Sequence, residues 1–284
     1  MTVKSFIDGA TQRVAQIYPE QEAKNIVLRL VEHFLSIPNY KIYSEPKMAI
    51  KPEKVLELNS ALEEICKKRP LQYVLGYTEF AQLKIRVKEG VLIPRPETEE
   101  LVYKIVEEFE DESSDINILD VCTGSGCIAY ALADAIPEAM VYGCDISDDA
   151  LKVACKQRVK IAGSRPIFFW ADALSQPPAG IPKFDIIVSN PPYVRFSEAE
   201  LMDENVLKYE PYIALFVKDE EPLLYYKSIA LWAKQLLKKG GKLYFEINEA
   251  FGLEVTQMLE QEGFVNIKLS KDINSKDRFV SAQI

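Results

Sequence analysis

The chain has 284 residues, 48% hydrophobic and 27% charged, and its 43 acidic against 34 basic side chains leave a formal charge of -9. That length and composition suit a sizeable core in one large or two unequal domains, and the acidic balance repels a phosphate backbone, so stable nucleic-acid binding is not expected. No apolar run reaches the ~18 residues of a membrane span and Met1-Thr2-Val3-Lys4-Ser5-Phe6 lacks the apolar stretch of a secretory signal, so a cytoplasmic protein with no membrane partner is expected.

Cys66, Cys122, Cys127, Cys144 and Cys155 form no CxxC pair, and the single histidine, His33, lies within a helical pattern. Reduced, packed thiols are expected, with no metal site and no histidine catalysis.

Up to about residue 75, apolar residues recur at helical spacing in Ile26-Val27-Leu30-Val31-Phe34-Leu35 and Val55-Leu56-Leu58-Leu62-Ile65, with Pro52 suited to a first helical turn. This predicts a small helical bundle without a catalytic constellation. The basic run Lys67-Lys68-Arg69 closes a helix before Pro70, where cations complement the helix dipole. Residues 76–94 then read as a hairpin and linker, from Gly76-Tyr77-Thr78-Glu79-Phe80 through alternating Leu83, Ile85 and Val87. In Pro94-Arg95-Pro96-Glu97-Thr98-Glu99, Pro96 suits the start of an amphipathic helix, and Arg95 and Glu97 are candidates to line a site.

From residue 116 strands and helices alternate. The strands are predicted at Ile116 to Val121, Val141 to Asp145, Ile167 to Asp172 and Phe184 to Asn190, with helices from Cys127 and Asp148. Farther on, Gly240-Gly241 is expected to end a helix and Lys242 to Ile247 to form another strand. The alternation predicts an α/β fold with a mostly parallel, doubly wound sheet.

Asp120-Val121-Cys122-Thr123-Gly124-Ser125-Gly126 follows the first of these strands and opens a helix, so its glycines let a ligand approach the backbone. Asp145, at the end of the next strand, is placed to accept hydrogen bonds from a ribose diol; Asp172, with Ala173 beside it, is placed to hold an adenine amino group. Gly124-Ser125-Gly126-Cys127-Ile128-Ala129 also fits a relaxed dinucleotide fingerprint, so this pattern alone leaves the cofactor open.

Asn190-Pro191-Pro192-Tyr193 discriminates. It closes the apolar run Phe184 to Ser189 at the sheet's carboxyl edge, where open α/β sheets place their ligands. The Asn190 side-chain oxygen and the Pro191 carbonyl would accept both N–H groups of a planar NH2 and aim its lone pair at a methyl sulfonium. Tyr193 would pack its ring on the planar group. Methyl transfer explains this cradle and hydride transfer does not, although adenine and glutamine satisfy it equally. Orientation of this kind contributes about 7 to 11 kcal/mol, which lessens the need for a dedicated base.

The chain resembles the HemK/PrmC family, protein N5-glutamine methyltransferases that modify class I peptide chain release factors. The likeness runs through Arg69-Pro70-Leu71-Gln72-Tyr73, Gly76, Glu79-Phe80, Val91 to Glu99, Thr123 to Ala129, Asn190 to Tyr193, Glu210-Pro211, Ala214-Leu215 and Gly240-Gly241 to Ile247. The resemblance implies a Rossmann-like class I methyltransferase domain at 95–284 and S-adenosylmethionine as donor. Cys122, Thr123, Gly124, Ser125, Gly126, Asp145, Asp172, Ala173 and Asn190 would bind the donor, with Asn190, Pro191 and Tyr193 catalytic. Asn190 to Tyr193, with Arg95 and Glu97, would hold the glutamine of a Gly-Gly-Gln loop. The helices of residues 1–75 would help dock the release factor. Cys122 stands where many relatives carry glycine, and Asn248-Glu249-Ala250 and Asp272-Ile273-Asn274 depart from glycine-containing forms. An adenine N6 methyltransferase acting on DNA or RNA is the alternative.

Overall fold

In a computed structural model, residues 1–109 and 116–284 are described. The chain divides into two compact units, one of Met1–Gly76 with Asp203–Tyr209 and the other of Tyr77–Met202 with Glu210–Ile284.

The first unit is helical: α1 (Val3–Val14), α2 (Glu20–Leu35), α3 (Asn39–Ser44), α4 (Pro52–Cys66) and α5 (Leu71–Leu75) are joined by α9 (Glu204–Tyr209). Thr2 caps α1 by accepting the Ser5 N–H, and Pro52 occupies the first turn of α4, where its missing N–H costs nothing. The buried stripes Val3-Phe6-Ala10-Val14, Ala23-Ile26-Val27-Leu30-Val31 and Leu58-Ala61-Leu62-Ile65 make its core. The basic run is paired with carboxylates. Lys67 and Arg69 meet Glu64 at 2.8 and 3.2 Å, and Lys68 reaches Glu204 of α9 at 2.5 Å.

The second unit begins with an antiparallel hairpin, β1 (Tyr77–Phe80) and β2 (Leu83–Arg86), and continues into α6 (Pro96–Phe109). Its sheet contains β3 (Asn117–Val121), β4 (Met140–Asp145), β5 (Ile167–Trp170), β6 (Phe184–Ser189), β9 (Leu237–Glu246), β10 (Val265–Lys271) and β11 (Asp277–Gln283) in the order β10-β11-β9-β6-β3-β4-β5. β9, β6, β3, β4 and β5 run parallel, while β11 pairs antiparallel with both β9 and β10. A separate short pair is formed by β7 (Val194–Arg195) and β8 (Phe216–Val217).

Strand periodicity sends alternate residues to opposite faces. Ile118, Ile186 and Val188 pack with α6 and α7 (Cys127–Ala135), whereas Leu119, Val121 and Ile187 pack with α11 (Leu224–Leu236) and α12 (Gly252–Gln261). From β3 the chain proceeds to β4 and β5 on one side and to β6 and β9 on the other, so strand order reverses at β3. The crevice outside its carboxyl end is the expected ligand position.

Several boundaries differ from the sequence expectation, among them those of β5, β6 and β9. β5 stops at Trp170 rather than Asp172, and β6 at Ser189, which makes Asn190 the first loop residue. The pair Gly240-Gly241 does not end a helix. Helix α11 already ends at Leu236, where Leu237 turns extended, and the glycines lie inside β9, whose register against β6 jumps between Phe184↔Leu237 and Ile186↔Lys242. Gly240, at φ +80, forms this bulge and donates its N–H to the Ile284 carbonyl at 3.0 Å. Among the described residues no helix is long and apolar enough to cross a membrane.

Candidate active site

The loop between β3 and α7 carries three left-handed residues, Cys122 (φ +62), Gly124 (φ +55) and Gly126 (φ +82). Cys122 adopts a backbone geometry that glycine takes freely and that other residues adopt rarely. At Gly126 a Cβ would meet Phe168 Cζ at 3.0 Å and Ala154 Cβ at 3.2 Å, whereas a Cβ on Gly124 would meet nothing within 4 Å. One glycine therefore serves packing, and the other leaves open space beside the backbone.

Side chains at the ends of β3 and β4 hold this loop. Thr123 donates its hydroxyl to Asp120 Oδ2 at 2.5 Å and its N–H to the Cys144 carbonyl at 2.9 Å. Gly124 donates its N–H to Asp145 Oδ2 at 2.8 Å, and Ser147 donates its N–H to Asp145 Oδ1 at 2.9 Å. Burial pushes the Asp120 carboxyl up to about 7 against the lowering effect of Thr123. Burial also raises Asp145, opposed by the N–H groups of Ser147, Gly124 and Ile146.

Cys122 to Ser125, Asp145 and Ser147 line a cavity of about 920 Å³, counting its open mouth. Cys122, Thr123, Gly124, Ser125, Asp145, Asp172, Ala173, Asn190, Pro192 and Arg95 all face it; Glu97, Gly126, Pro191 and Tyr193 are not among its lining. Asp172 is held by the Leu174 N–H and the Ser175 hydroxyl, both at 2.9 Å. The wall from Gly90 to Arg95 is fastened by buried Glu210, which accepts the Ile93 N–H at 3.1 Å and pairs with Arg95 at 2.7 Å.

Beyond the edge of β6, Ser189 donates its hydroxyl to the Val121 carbonyl at 2.6 Å, joining β6 to β3 just before Asn190. Asn190 Nδ2 donates to Thr98 Oγ1 at 2.9 Å, Thr98 donates to Glu246 Oε2 at 2.6 Å, and Tyr193 donates its hydroxyl to Glu246 Oε1 at 3.0 Å. Glu246 is fully buried at the end of β9; burial raises its carboxyl, opposed by the hydroxyls of Thr98 and Tyr193 and by the charge of Arg278.

The Tyr193 hydroxyl has a polar partner, Glu246, while its ring contributes to packing inside the domain, against the core cluster beneath the sheet. Burial raises the hydroxyl well above the ordinary phenol value. Asn248, one of the positions that depart from glycine-containing forms, donates to the Tyr193 carbonyl at 3.2 Å and accepts the Ala250 N–H at 2.9 Å. Asp272 accepts the N–H groups of Asn274 and Lys276 and pairs with Arg278 at 3.2 Å, closing the turn between β10 and β11.

Thr98, Glu210, Tyr225 and Glu246 were not among the expected site residues. Thr98 and Glu246 stand inside the segments that carry the family resemblance, and a carboxylate at the end of an apolar strand was the available signal. Nothing local marked Tyr225, whose side chain reaches the cavity from α11.

Residues 101–207 match the methyltransferase small domain, and residues 6–76 match the PrmC N-terminal domain. A release factor glutamine methyltransferase of Bacteroides thetaiotaomicron is 41% identical over 95% of this chain and 96% of its own. One from Flavobacterium psychrophilum is 39% identical over 99% and 98%. A solved methyltransferase from Pyrococcus furiosus, only 15% identical, covers 71% of this chain and 88% of its own with a TM-score of 0.50, a likeness of fold. With identity of this order along nearly the whole length, the chain belongs to the release factor glutamine methyltransferase family.

Proposed function

We propose that this protein transfers a methyl group from S-adenosylmethionine to the side-chain amide nitrogen, N5, of the glutamine in the Gly-Gly-Gln motif of class I peptide chain release factors. The observation that carries this reading is the position of Asn190: at the cavity, one loop away from the glycine turn, with its Nδ2 already engaged by Thr98. Its Oδ1 remains to accept an N–H from a planar amide, and the carbonyl of Pro191, which lies between the lining residues Asn190 and Pro192, would supply a second acceptor.

The residues present suit the donor. The open space at Gly124 admits a ligand against the backbone, and the Asp145 and Asp172 carboxylates line the cavity and retain acceptor capacity beside their internal bonds. When bound, S-adenosylmethionine supplies a methyl group activated on a sulfonium. Gly124, Asp145, Asp172 and Ala173 would hold it, while Asn190 and Pro191 hold the acceptor nitrogen with its lone pair directed at that methyl group. Catalysis then rests on orientation and electrostatic positioning. Pro191 and Pro192, both buried, limit backbone movement at the cradle.

Arg95 would meet the substrate loop at the cavity wall, whereas Glu97 would act outside the cavity. The helical region of residues 1–75 would contribute release-factor docking, which its match to the PrmC N-terminal domain supports. Mass spectrometry of a release factor incubated with enzyme and donor tests the assignment. The added methyl is expected on the Gly-Gly-Gln glutamine; its appearance only on adenine of supplied DNA or RNA would favour the alternative.

A further inference from the structure

The hydrogen-bond chain ending at Glu246 has a fixed polarity. Thr98 Oγ1 carries one proton and lies between Glu246 Oε2 at 2.6 Å and Asn190 Nδ2 at 2.9 Å. Burial works against the charge on Glu246, but the hydroxyls of Thr98 and Tyr193 and the charge of Arg278 favour the ionised form. An ionised carboxylate only accepts, so the Thr98 proton is directed to Glu246, and toward Asn190 the hydroxyl acts only as an acceptor. The NH2 branch of the Asn190 amide must face Thr98, which leaves Oδ1 on the other branch. Were the hydroxyl free to donate toward Asn190, the amide would turn over and present its NH2 to an incoming N–H, donor against donor. The second oxygen of Glu246 takes the Tyr193 proton at 3.0 Å, so one buried carboxylate orients both the first and last residues of Asn190-Pro191-Pro192-Tyr193.

We propose that Glu246, acting through Thr98, is a positioning residue that fixes the amide orientation of Asn190, so that Oδ1 receives an N–H of the methyl-acceptor amide. The proposal deepens, and rests on, the reading of Asn190 to Tyr193 as the acceptor cradle. Neither Glu246 nor Thr98 needs to touch the acceptor: the carboxylate sets the hydroxyl, and the hydroxyl sets the amide. Strand pairing supports the arrangement, because β9 lies directly beside β6 with Ser189↔Phe245 in register, one residue before Asn190 and Glu246 respectively. The two groups are carried on adjacent strand ends, with Thr98 on the first turn of α6 between them in the hydrogen-bond chain.

Thr98→Val removes the hydroxyl while keeping the shape, and Thr98→Ser restores it. With a release factor as acceptor, kcat of Thr98→Val is expected to fall about 10- to 100-fold while donor Kd stays within about twofold. Thr98→Ser is expected to recover most of the rate. Glu246→Gln keeps an acceptor toward Thr98 only by turning its NH2 to the Tyr193 hydroxyl, so its kcat is expected to fall less than that of Thr98→Val. Undiminished kcat in Thr98→Val, or equal impairment of Thr98→Val and Thr98→Ser, would overturn the proposal. If Thr98→Val fails to fold, the same kcat criterion passes to Thr98→Ala, which also lacks the hydroxyl.

Neutron diffraction from crystals of the ligand-free wild-type protein reads the amide directly. Deuterons on the branch of Asn190 that faces Thr98 are expected. An oxygen on that branch overturns the proposal whichever acceptor the enzyme uses, and wild-type inactivity on release factors would instead overturn the assigned substrate.

Discussion

Gly124 donates its N–H to Asp145 Oδ2 at 2.8 Å, joining the loop after β3 to the end of β4. Since Ser147 donates to the other oxygen, Asp145 fastens the loop as well as facing the cavity. Asp145→Asn must therefore turn an NH2 toward one of two backbone donors. Donor affinity is expected to fall about 10- to 100-fold, or about 1.4 to 2.8 kcal/mol, in calorimetric titration. Unchanged affinity would remove Asp145 from the donor site.

Gly124→Ala and Gly126→Ala should separate binding from packing. Both impose a positive φ on alanine, at about 1 kcal/mol, but only Gly126→Ala also drives a methyl to 3.0 Å from Phe168. Gly126→Ala is expected to lose more stability in urea titration. Gly124→Ala, whose Cβ projects into open space, should lose more donor affinity than Gly126→Ala relative to its loss of stability.

Asp120 makes stability depend on pH. Its carboxyl, ordinarily near 3.8, is raised to about 7 in the folded protein, so between these values the folded state binds the extra proton and stability falls as pH rises. The contribution is full below the lower value and lost above the upper one. Between about pH 5 and about pH 8, wild type should lose about 3 kcal/mol relative to Asp120→Asn, measured by paired urea titrations. A pH-independent difference would contradict the burial argument.

Glu210→Ala should loosen the Gly90 to Arg95 wall, because it removes both the acceptor of the Ile93 N–H and the partner of Arg95. KM for the acceptor is expected to rise about tenfold, equivalent to about 1.4 kcal/mol, with kcat less affected. A loss confined to kcat would show that the wall serves the chemical step instead.

The parts of the fold and site legible in sequence were those with local signals. Alternating apolar strands, the glycine loop after β3, the acids closing β4 and following β5, and Asn190 after β6 are each written within a few consecutive residues. Thr98–Glu246 and Arg95–Glu210 are joined across 148 and 115 positions, and no local pattern specifies such partners. The same applies to α9, which joins the helical unit through Lys68–Glu204, 136 positions apart. Gly240-Gly241 misled because glycine suits both a helix end and a strand bulge, and the choice was made by pairing with β6. The identity of the polar partner of Tyr193 is not written locally either, since Glu246 lies 53 positions away.

The most direct test of the central claim uses methyl-labelled S-adenosylmethionine with a class I release factor, its Gly-Gly-Gln Gln→Ala variant and duplex DNA, each incubated with wild-type enzyme and with Asn190→Ala. Label is expected only on the unsubstituted release factor and only with wild-type enzyme, while Asn190→Ala still binds donor. Equal labelling of the Gln→Ala release factor, labelling of DNA alone, or undiminished turnover by Asn190→Ala would contradict the account.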